Sequence, residues 1–524
     1  MTWKHWRRVR QAVQILTLAF YVYLLFAALQ VAVMQPRVAF PLADLFFRLD
    51  PLAALTAMLS ARAWIPRLAL ALITLGLTLL FGRVWCGWLC PLGTLLEWVR
   101  FPSASRRAIT LSPRWRAVKH LLLLLILAMA LFSSLSLLIL DPITLFTRTM
   151  TASVLPALNQ AITSVEHALY SVGFLRPAVD WVERVLRGPV LPIIQPVFGT
   201  NTLIAALFAG LLALNLLADR FWCRYLCPLG ALLGWLSKVS LLQPFVRPAC
   251  NRCGQCVGVC QVDAIDTTHG YEIVPSECIV CLDCLAACPE SGIGKHSGIG
   301  FRVHWRPDLI KKSSAASDPV RDYDPTRRQA LAALAAGAAG VALLRTGVRA
   351  KQPAPHLIRP PGVKDEGDFL ARCIRCSQCM KVCPTSGLQP VALEAGLEGV
   401  WTPRLAPRLG HCNYGCNACG QICPSGAIPP LDLARKREQV LGVAIIDHDR
   451  CLPWTHGVAC IVCEEMCPTP EKAIRLEEAT VTDDQGGPII VQQPYVLDSV
   501  CIGCGICEYQ CPVEGEAAIQ VRRT

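Results

Sequence analysis

The stretch CNRCGQCVGVCQVDAIDTTHGYEIVPSECIVCLDCLAACP, residues 250–289, sets eight cysteines in two groups of four. Cys250, Cys253, Cys256 and Cys260 form the first, and Cys278, Cys281, Cys284 and Cys288 the second. Three thiolates at this pitch wrap three irons of a cube, while the fourth cysteine completes the neighbouring cube. Disulfide geometry has no use for three partners within seven residues. Zinc accepts similar local spacing but rarely asks for paired quartets with a crossing fourth ligand. The pattern therefore predicts one [4Fe–4S] cluster on Cys250, Cys253, Cys256 and Cys288. A second is expected on Cys278, Cys281, Cys284 and Cys260. Residues 264–266 and 271–274 read as two short strands around a glycine turn, the α+β plan of a bacterial-type ferredoxin module.

Four more quartets lie downstream: Cys373, Cys376, Cys379, Cys383; Cys412, Cys416, Cys419, Cys423; Cys451, Cys460, Cys463, Cys467; and Cys501, Cys504, Cys507, Cys511. They imply six clusters in all. Cys412 to Cys416 is one residue longer than usual, and Cys451 to Cys460 encloses the loop LPWTHGVA. Loop closure costs grow slowly with length, so both insertions are tolerable. Five of the six fourth cysteines precede proline, whereas Cys260 precedes Gln261. His411 and His456 stand beside ligands but are read as neighbours or surface residues, since the cysteines already complete the sets. Among 28 cysteines these quartets leave only Cys86, Cys90, Cys223 and Cys227.

Those four lie in a repeat. RVWCGWLCPLGTLLEW at 83–98 and RFWCRYLCPLGALLGW at 220–235 each end an apolar run. Positions i and i+4 share a helix face, so each pair can present both thiols to one object. A metal or cluster between the copies, a thiol–disulfide redox pair, a surface facing quinone or another cluster, and plain packing all remain open at this point.

Apolar runs at 11–34, 64–80, 121–140 and 200–218 read as membrane spans. Lys4, Arg7, Arg8 and Arg10 before the first run, and Arg83, Arg100, Arg106, Arg107, Arg114, Arg116 and Lys119 after the second, place those ends in the cytoplasm. Up to Arg345 there are 33 Lys and Arg against 18 Asp and Glu, and beyond it 17 against 20. No nucleic-acid-binding motif accompanies this basic balance. The segment 155–198 is expected to hold short outer-face or re-entrant helices. An Ala-rich run, 330–344, follows Arg327 and Arg328 and is expected to be a fifth span, with Lys311, Lys312 and Arg321 in its basic flank. The organisation expected is a multi-pass all-α membrane domain at 1–245, a two-cluster module at 246–310, a basic linker with the fifth span at 311–350, and a four-cluster domain at 351–524. No Gly-rich phosphate loop, HExxH or GxSxG is present, so the chemistry expected is electron transfer.

Residues 83–98, 220–235 and 250–289 together resemble the membrane quinol-dehydrogenase component of periplasmic nitrate reductase systems, and also the regulatory membrane proteins of nitrous-oxide reduction. Residues 324–524, with Arg327, Arg328 and CIGCGICEYQCP at 501–512, resemble the exported four-cluster ferredoxin subunit of the same systems. The resemblance implies a bacterial inner-membrane protein that takes electrons from quinol, with its first module cytoplasmic and its last domain periplasmic, facing a periplasmic redox partner. It further implies a nested ligation. Cys373, Cys376 and Cys379 would share with Cys511, and Cys501, Cys504 and Cys507 with Cys383. Cys412, Cys416 and Cys419 would share with Cys467, and Cys451, Cys460 and Cys463 with Cys423. Delivery of electrons to a metal-assembly process and membrane redox sensing are the alternative roles.

Overall fold

Each copy of the repeat folds the same way, as one widened turn followed by a short helix. Trp85–Leu89 leads into Pro91–Trp98, and Trp222–Leu226 into Pro228–Ser237. The turns carry i to i+5 bonds, from Cys90 N to Trp85 O and Cys227 N to Trp222 O, both 2.9 Å. Such π-type turns are rare and favour functional sites. Proline suits the first helical position because its missing N–H has no intrahelical acceptor there. Cys90 and Cys227 themselves are extended. A π-turn and a break, rather than one α-helical face, therefore set the spacing of each cysteine pair.

The computed structural model describes residues 3–34, 42–99, 113–187, 195–248, 250–267, 270–289, 298–303, 323–346, 355–482 and 487–523. Arg100, Arg106, Arg107, Lys311, Lys312 and Arg321 lie outside them. The chain forms two units: Met1–Leu24, Leu45–Phe146 and Ala205–Ala342 make the first, and Leu25–Asp44, Thr147–Ile204 and Leu343–Thr524 the second.

The expected multi-pass membrane domain is corrected by helix length. Among the described residues one helix, over His5–Ala27, is long and apolar enough to cross a membrane. The other apolar helices, including Pro66–Phe81, Ala117–Leu131 and Asn201–Leu216, have 10–17 residues. The run at 121–140 shows why. Its helix stops at Leu131, Ser133 turns left-handed at φ 58°, and Ser136–Leu140 continues as a tight 3-10 turn. At about 1.5 Å per residue, 15 residues reach about 22 Å, short of a hydrocarbon layer of about 30 Å. Leu123, Ile126, Met129 and Ala130 of this helix are buried inside the first unit. Composition alone could not see these breaks, because Ser and Leu carry no strong stop signal. The run at 330–344 lies in a 20-residue helix, Arg327–Thr346, which is not among the described helices long and apolar enough to cross a membrane. Thr326 and Gln329 cap it reciprocally: Thr326 Oγ1 accepts from Gln329 N at 3.3 Å and Gln329 Oε1 from Thr326 N at 3.0 Å. The stretch after residue 155 forms two helices, Leu155–Tyr170 and Arg176–Leu186.

In the first unit Tyr21 packs on Phe46 and Phe146 at 4.8 and 5.3 Å between ring centres. Its cluster module pairs Ile265–Asp266 with Glu272–Ile273, and Leu242–Val246 with Ile299–Val303, both antiparallel. The second unit has three antiparallel pairs: Leu388–Pro390 with Pro403–Leu405, Val443–Ile446 with Ile519–Arg522, and Ile474–Thr482 with Pro488–Val496. Its core joins Ile358, Phe369, Leu388, Leu405, Ile428 and Ile519 to the cysteine loops.

Candidate iron–sulfur sites

Backbone geometry prepares the cluster loops. The middle cysteine of each regular quartet is flanked by two left-handed residues. These are Arg252 and Gly254 around Cys253, Val280 and Leu282 around Cys281, Arg375 and Ser377 around Cys376, and Gly503 and Gly505 around Cys504. Alternating hands turn successive N–H groups toward one concavity, which suits an anionic cluster. Val280 is β-branched at φ 53°, a costly conformation that a ligand loop has to hold in place. The irregular quartets starting at Cys412 and Cys451 lack this signature.

In the first unit Cys260 lies near the second quartet. Burial raises the thiols of Cys278, to about 11, and of Cys281 and Cys284, and the charge of Cys260 adds to all three. Burial likewise raises Cys256, with Cys250 and Cys253 adding to it. Cys288 follows the helix Asp283–Ala287, which packs against Gln255–Val259 of the other quartet.

The second unit corrects the nested ligation. Burial raises Cys373, Cys376 and Cys379, and the charge from another quartet that bears on all three comes from Cys423, not Cys511. Cys383, Cys412, Cys416 and Cys419 line one cavity, with Pro360, Leu388 and Leu405 among its walls. Cys451, Cys460, Cys463 and Cys511 line another, with Pro453, Val462 and Ile519. Burial, then Cys412, then Cys467 raise Cys504, to about 12. Cavity walls thus group Cys412, Cys416 and Cys419 with Cys383, and Cys451, Cys460 and Cys463 with Cys511, while Cys423 lies near Cys373, Cys376 and Cys379, and Cys412 and Cys467 lie near Cys504. Adjacent quartets cross because their helices pack as neighbours, Gln378–Lys381 on Ala418–Ile422 and Val462–Glu465 on Ile506–Gln510. The two resulting modules meet at their ligands: Cys412 N donates to Cys504 O at 2.8 Å. Two of these groups set four cysteines around an apolar hollow, and N–H donors reach sulfurs elsewhere, Ile428 N to Cys423 Sγ at 3.4 Å and Ala444 N to Cys501 Sγ at 3.5 Å. That chemistry fits a four-iron cluster. His411 is half-buried with its ring 5.3 Å from Tyr509, and His456 is exposed.

The repeat gathers all four of its thiols. Burial raises Cys227, and Cys223, Cys86 and Cys90 all add to it. The same structure grips the module beside it. Trp88 Nε1 donates to Val280 O at 2.9 Å, and Arg83 Nη1 to Ser276 O at 2.8 Å. A Cβ on Gly87 would meet Ile279 O at 2.2 Å, and one on Gly234 Ser276 O at 2.7 Å, so both copies need glycine to admit the Cys278 loop. Lys119 Nζ bonds Glu277 at 2.5 Å. Despite burial, Lys119, Arg116 and Arg83 hold the Glu277 carboxyl down at about 2.

Gln261 is a functional residue the motif reading left unexplained. Its amide donates to Glu97 Oε1 at 3.1 Å and to Asp283 Oδ2 at 2.5 Å. Glu97 also takes Arg10 on both oxygens, at 2.7 and 2.9 Å, and Arg220 at 2.6 Å. The signal was already present, because Cys260 alone lacks its proline.

Two segments, 63–110 and 200–247, match the family model of a 4Fe-4S binding domain, and 364–428 matches a 4Fe-4S dicluster domain. The dicluster match spans the quartets of Cys373 and Cys412, which the structure pairs. The methylamine utilization ferredoxin-type protein MauM of Methylorubrum extorquens is 36% identical over 209 residues, 38% of this chain and 91% of that protein. The chain belongs to this ferredoxin-type family. MauM of Paracoccus denitrificans is 39% identical over 205 residues, covering 37% and 87%. The ferredoxin-type protein NapG of Escherichia coli K12 is 34% identical over 169 residues, covering 31% and 69%. No solved structure matches the chain. It is an iron–sulfur electron-transfer protein related to NapG.

Proposed function

We propose that this chain relays electrons through six [4Fe–4S] sites, drawing them from quinol at a membrane and passing them to a periplasmic redox protein. The observation that carries the relay is the joint between Cys412 and Cys504, where two two-cluster modules sharing one core meet at their ligands. Each cluster, when bound, supplies a reversible one-electron couple. The chain contributes the rest. Its thiolates hold the sites, its left-handed residues aim N–H groups at them, and apolar walls keep water out. The helix Trp3–Met34 provides attachment to the membrane through its apolar stretch. Exposed Leu72, Ile73, Leu203 and Leu207 on the shorter helices add apolar surface suited to lipid. Quinol as donor and a periplasmic acceptor follow from the resemblance to quinol-dehydrogenase systems.

The test is anaerobic reduction in vesicles. Added quinol should bleach the visible iron–sulfur absorption at a rate that supports turnover. Reduction by a soluble donor with none by quinol analogues would refute the quinol assignment and leave the relay standing.

A further inference from the structure

We propose that Cys86, Cys90, Cys223 and Cys227 jointly hold a seventh [4Fe–4S] cluster, shared between the two copies of the repeat and seated against the Cys278 loop. Each segment matching the 4Fe-4S binding domain contributes only two cysteines, Cys86 and Cys90 from one and Cys223 and Cys227 from the other. Neither copy can complete four ligands alone. Together they make one set.

Three observations support a ligand there over packed thiols. The second cysteine of each copy sits at a helix N-terminus and accepts a backbone N–H, Gly93 N to Cys90 Sγ at 3.4 Å and Gly230 N to Cys227 Sγ at 3.2 Å. Each N–H bond fixes where its sulfur points. Next to the cysteines in sequence, the buried donors Trp85 Nε1, Trp222 Nε1, Arg83 Nε and Arg220 Nε have no acceptor, two from each copy at equivalent positions. Buried donors are seldom left unpaired, and cluster sulfides are acceptors. Each arginine also reaches across the repeat. Arg83 Nη2 lies 2.8 Å from where a Cβ of Gly230 would stand, and Arg220 Nη1 lies 3.6 Å from that of Gly93.

The charge balance agrees. Arg10, Arg83, Lys119 and Arg220 are buried against Glu97, Glu277 and Asp283, which leaves excess positive charge. An oxidised cube on four thiolates carries a net charge of about −2, and Arg83 and Arg220, which reach across the repeat, would face it. Binding forms four Fe–S bonds and releases the four thiol protons. Among the described residues no three His, Cys, Asp or Glu side chains close tightly enough on one point for a single ion, and this includes the ferredoxin quartets. The contacts to Ile279 and Val280 then place the seventh site against the cluster of Cys278, Cys281, Cys284 and Cys260.

The experiment counts iron and acid-labile sulfide in the anaerobically purified full chain, with Mössbauer spectra. About 28 of each per chain is expected, against about 24 for six cubes. The double variant Cys86→Ser, Cys223→Ser should lose about four irons and keep the ferredoxin EPR signals. Cys412→Ser, which should lose about four irons of its own, calibrates the six-cluster count separately. Equal iron in wild type and the double variant would overturn the proposal. So would recovery of all four repeat thiols by alkylation of the native, fully loaded protein, a measurement that needs no folded variant.

Discussion

The two units hold the same kind of ligand loop by different means. In the first, the Cys278 loop is clamped from outside by buried charges and amides: Arg83, Lys119 and Glu277 on one side, and Arg10, Glu97, Gln261 and Asp283 on the other. In the second, the modules brace each other through their own backbone, most directly where Cys412 N meets Cys504 O. A loop that must sit against a partner element is fixed by side chains. Loops that sit against one another add a direct peptide hydrogen bond to side-chain bonds such as Arg408 Nη1 to Cys511 O at 3.0 Å.

The sharpest way to break this comparison is to move a fourth ligand. Cys423→Ser should remove the cluster on Cys373, Cys376 and Cys379 and spare the one on Cys412, Cys416 and Cys419. EPR would then show the loss of one centre and about four irons. Loss of the Cys451 cluster instead would restore the nested pairing that the resemblance implied.

The next largest effect should come from the clamp. Glu277→Gln leaves Lys119 and Arg83 buried without their carboxylate, a change expected to cost about 3–5 kcal/mol in denaturant unfolding of the first unit. A matching loss from any single charge change near Cys504 would show that the units do not differ.

Acid should separate them too. The Glu277 carboxyl lies at about 2 in the fold, against 4.5 for the ordinary group. Because its folded value is depressed, its stabilising contribution is present above about pH 4.5 and is lost as pH falls toward 2. Near-UV circular dichroism through that window should show wild type losing tertiary signal steeply, and Glu277→Gln less steeply, with Glu97 still sensitive to acid. Equal slopes would discount the clamp.

The smallest effect tests the left-handed flanks. Gly505 has φ 81°, and a Cβ there would meet Pro407 at 2.7 Å, so Gly505→Ala should cost about 1–3 kcal/mol. Val280→Gly relieves a strained φ and should change stability by less than about 1 kcal/mol. A larger penalty at Val280 would mean that its side chain, not its backbone, matters.

Most of the cluster chemistry was legible in the sequence, because cubes demand cysteines at fixed pitch and the pitch survives without tertiary information. The crossing of Cys260 could be proposed from sequence, since the two quartets of 250–289 adjoin. With four quartets in series, several pairings satisfy the same spacing. Only the packing of Gln378–Lys381 on Ala418–Ile422 selects one. The spans were misread for a related reason. Leu-rich runs look alike whether a helix continues through them or ends, as one does before Ser133.

The peptide joint between Cys412 and Cys504 also bears on speed. A hydrogen bond between two ligand backbones leaves no hinge between the sites it connects, so their separation is constant while the fold persists. Tunnelling across such a fixed gap is governed by distance and driving force, not by diffusive motion. Electron exchange over this junction should therefore be indifferent to added viscogen, in contrast to delivery to an external acceptor, which has to wait for collisions.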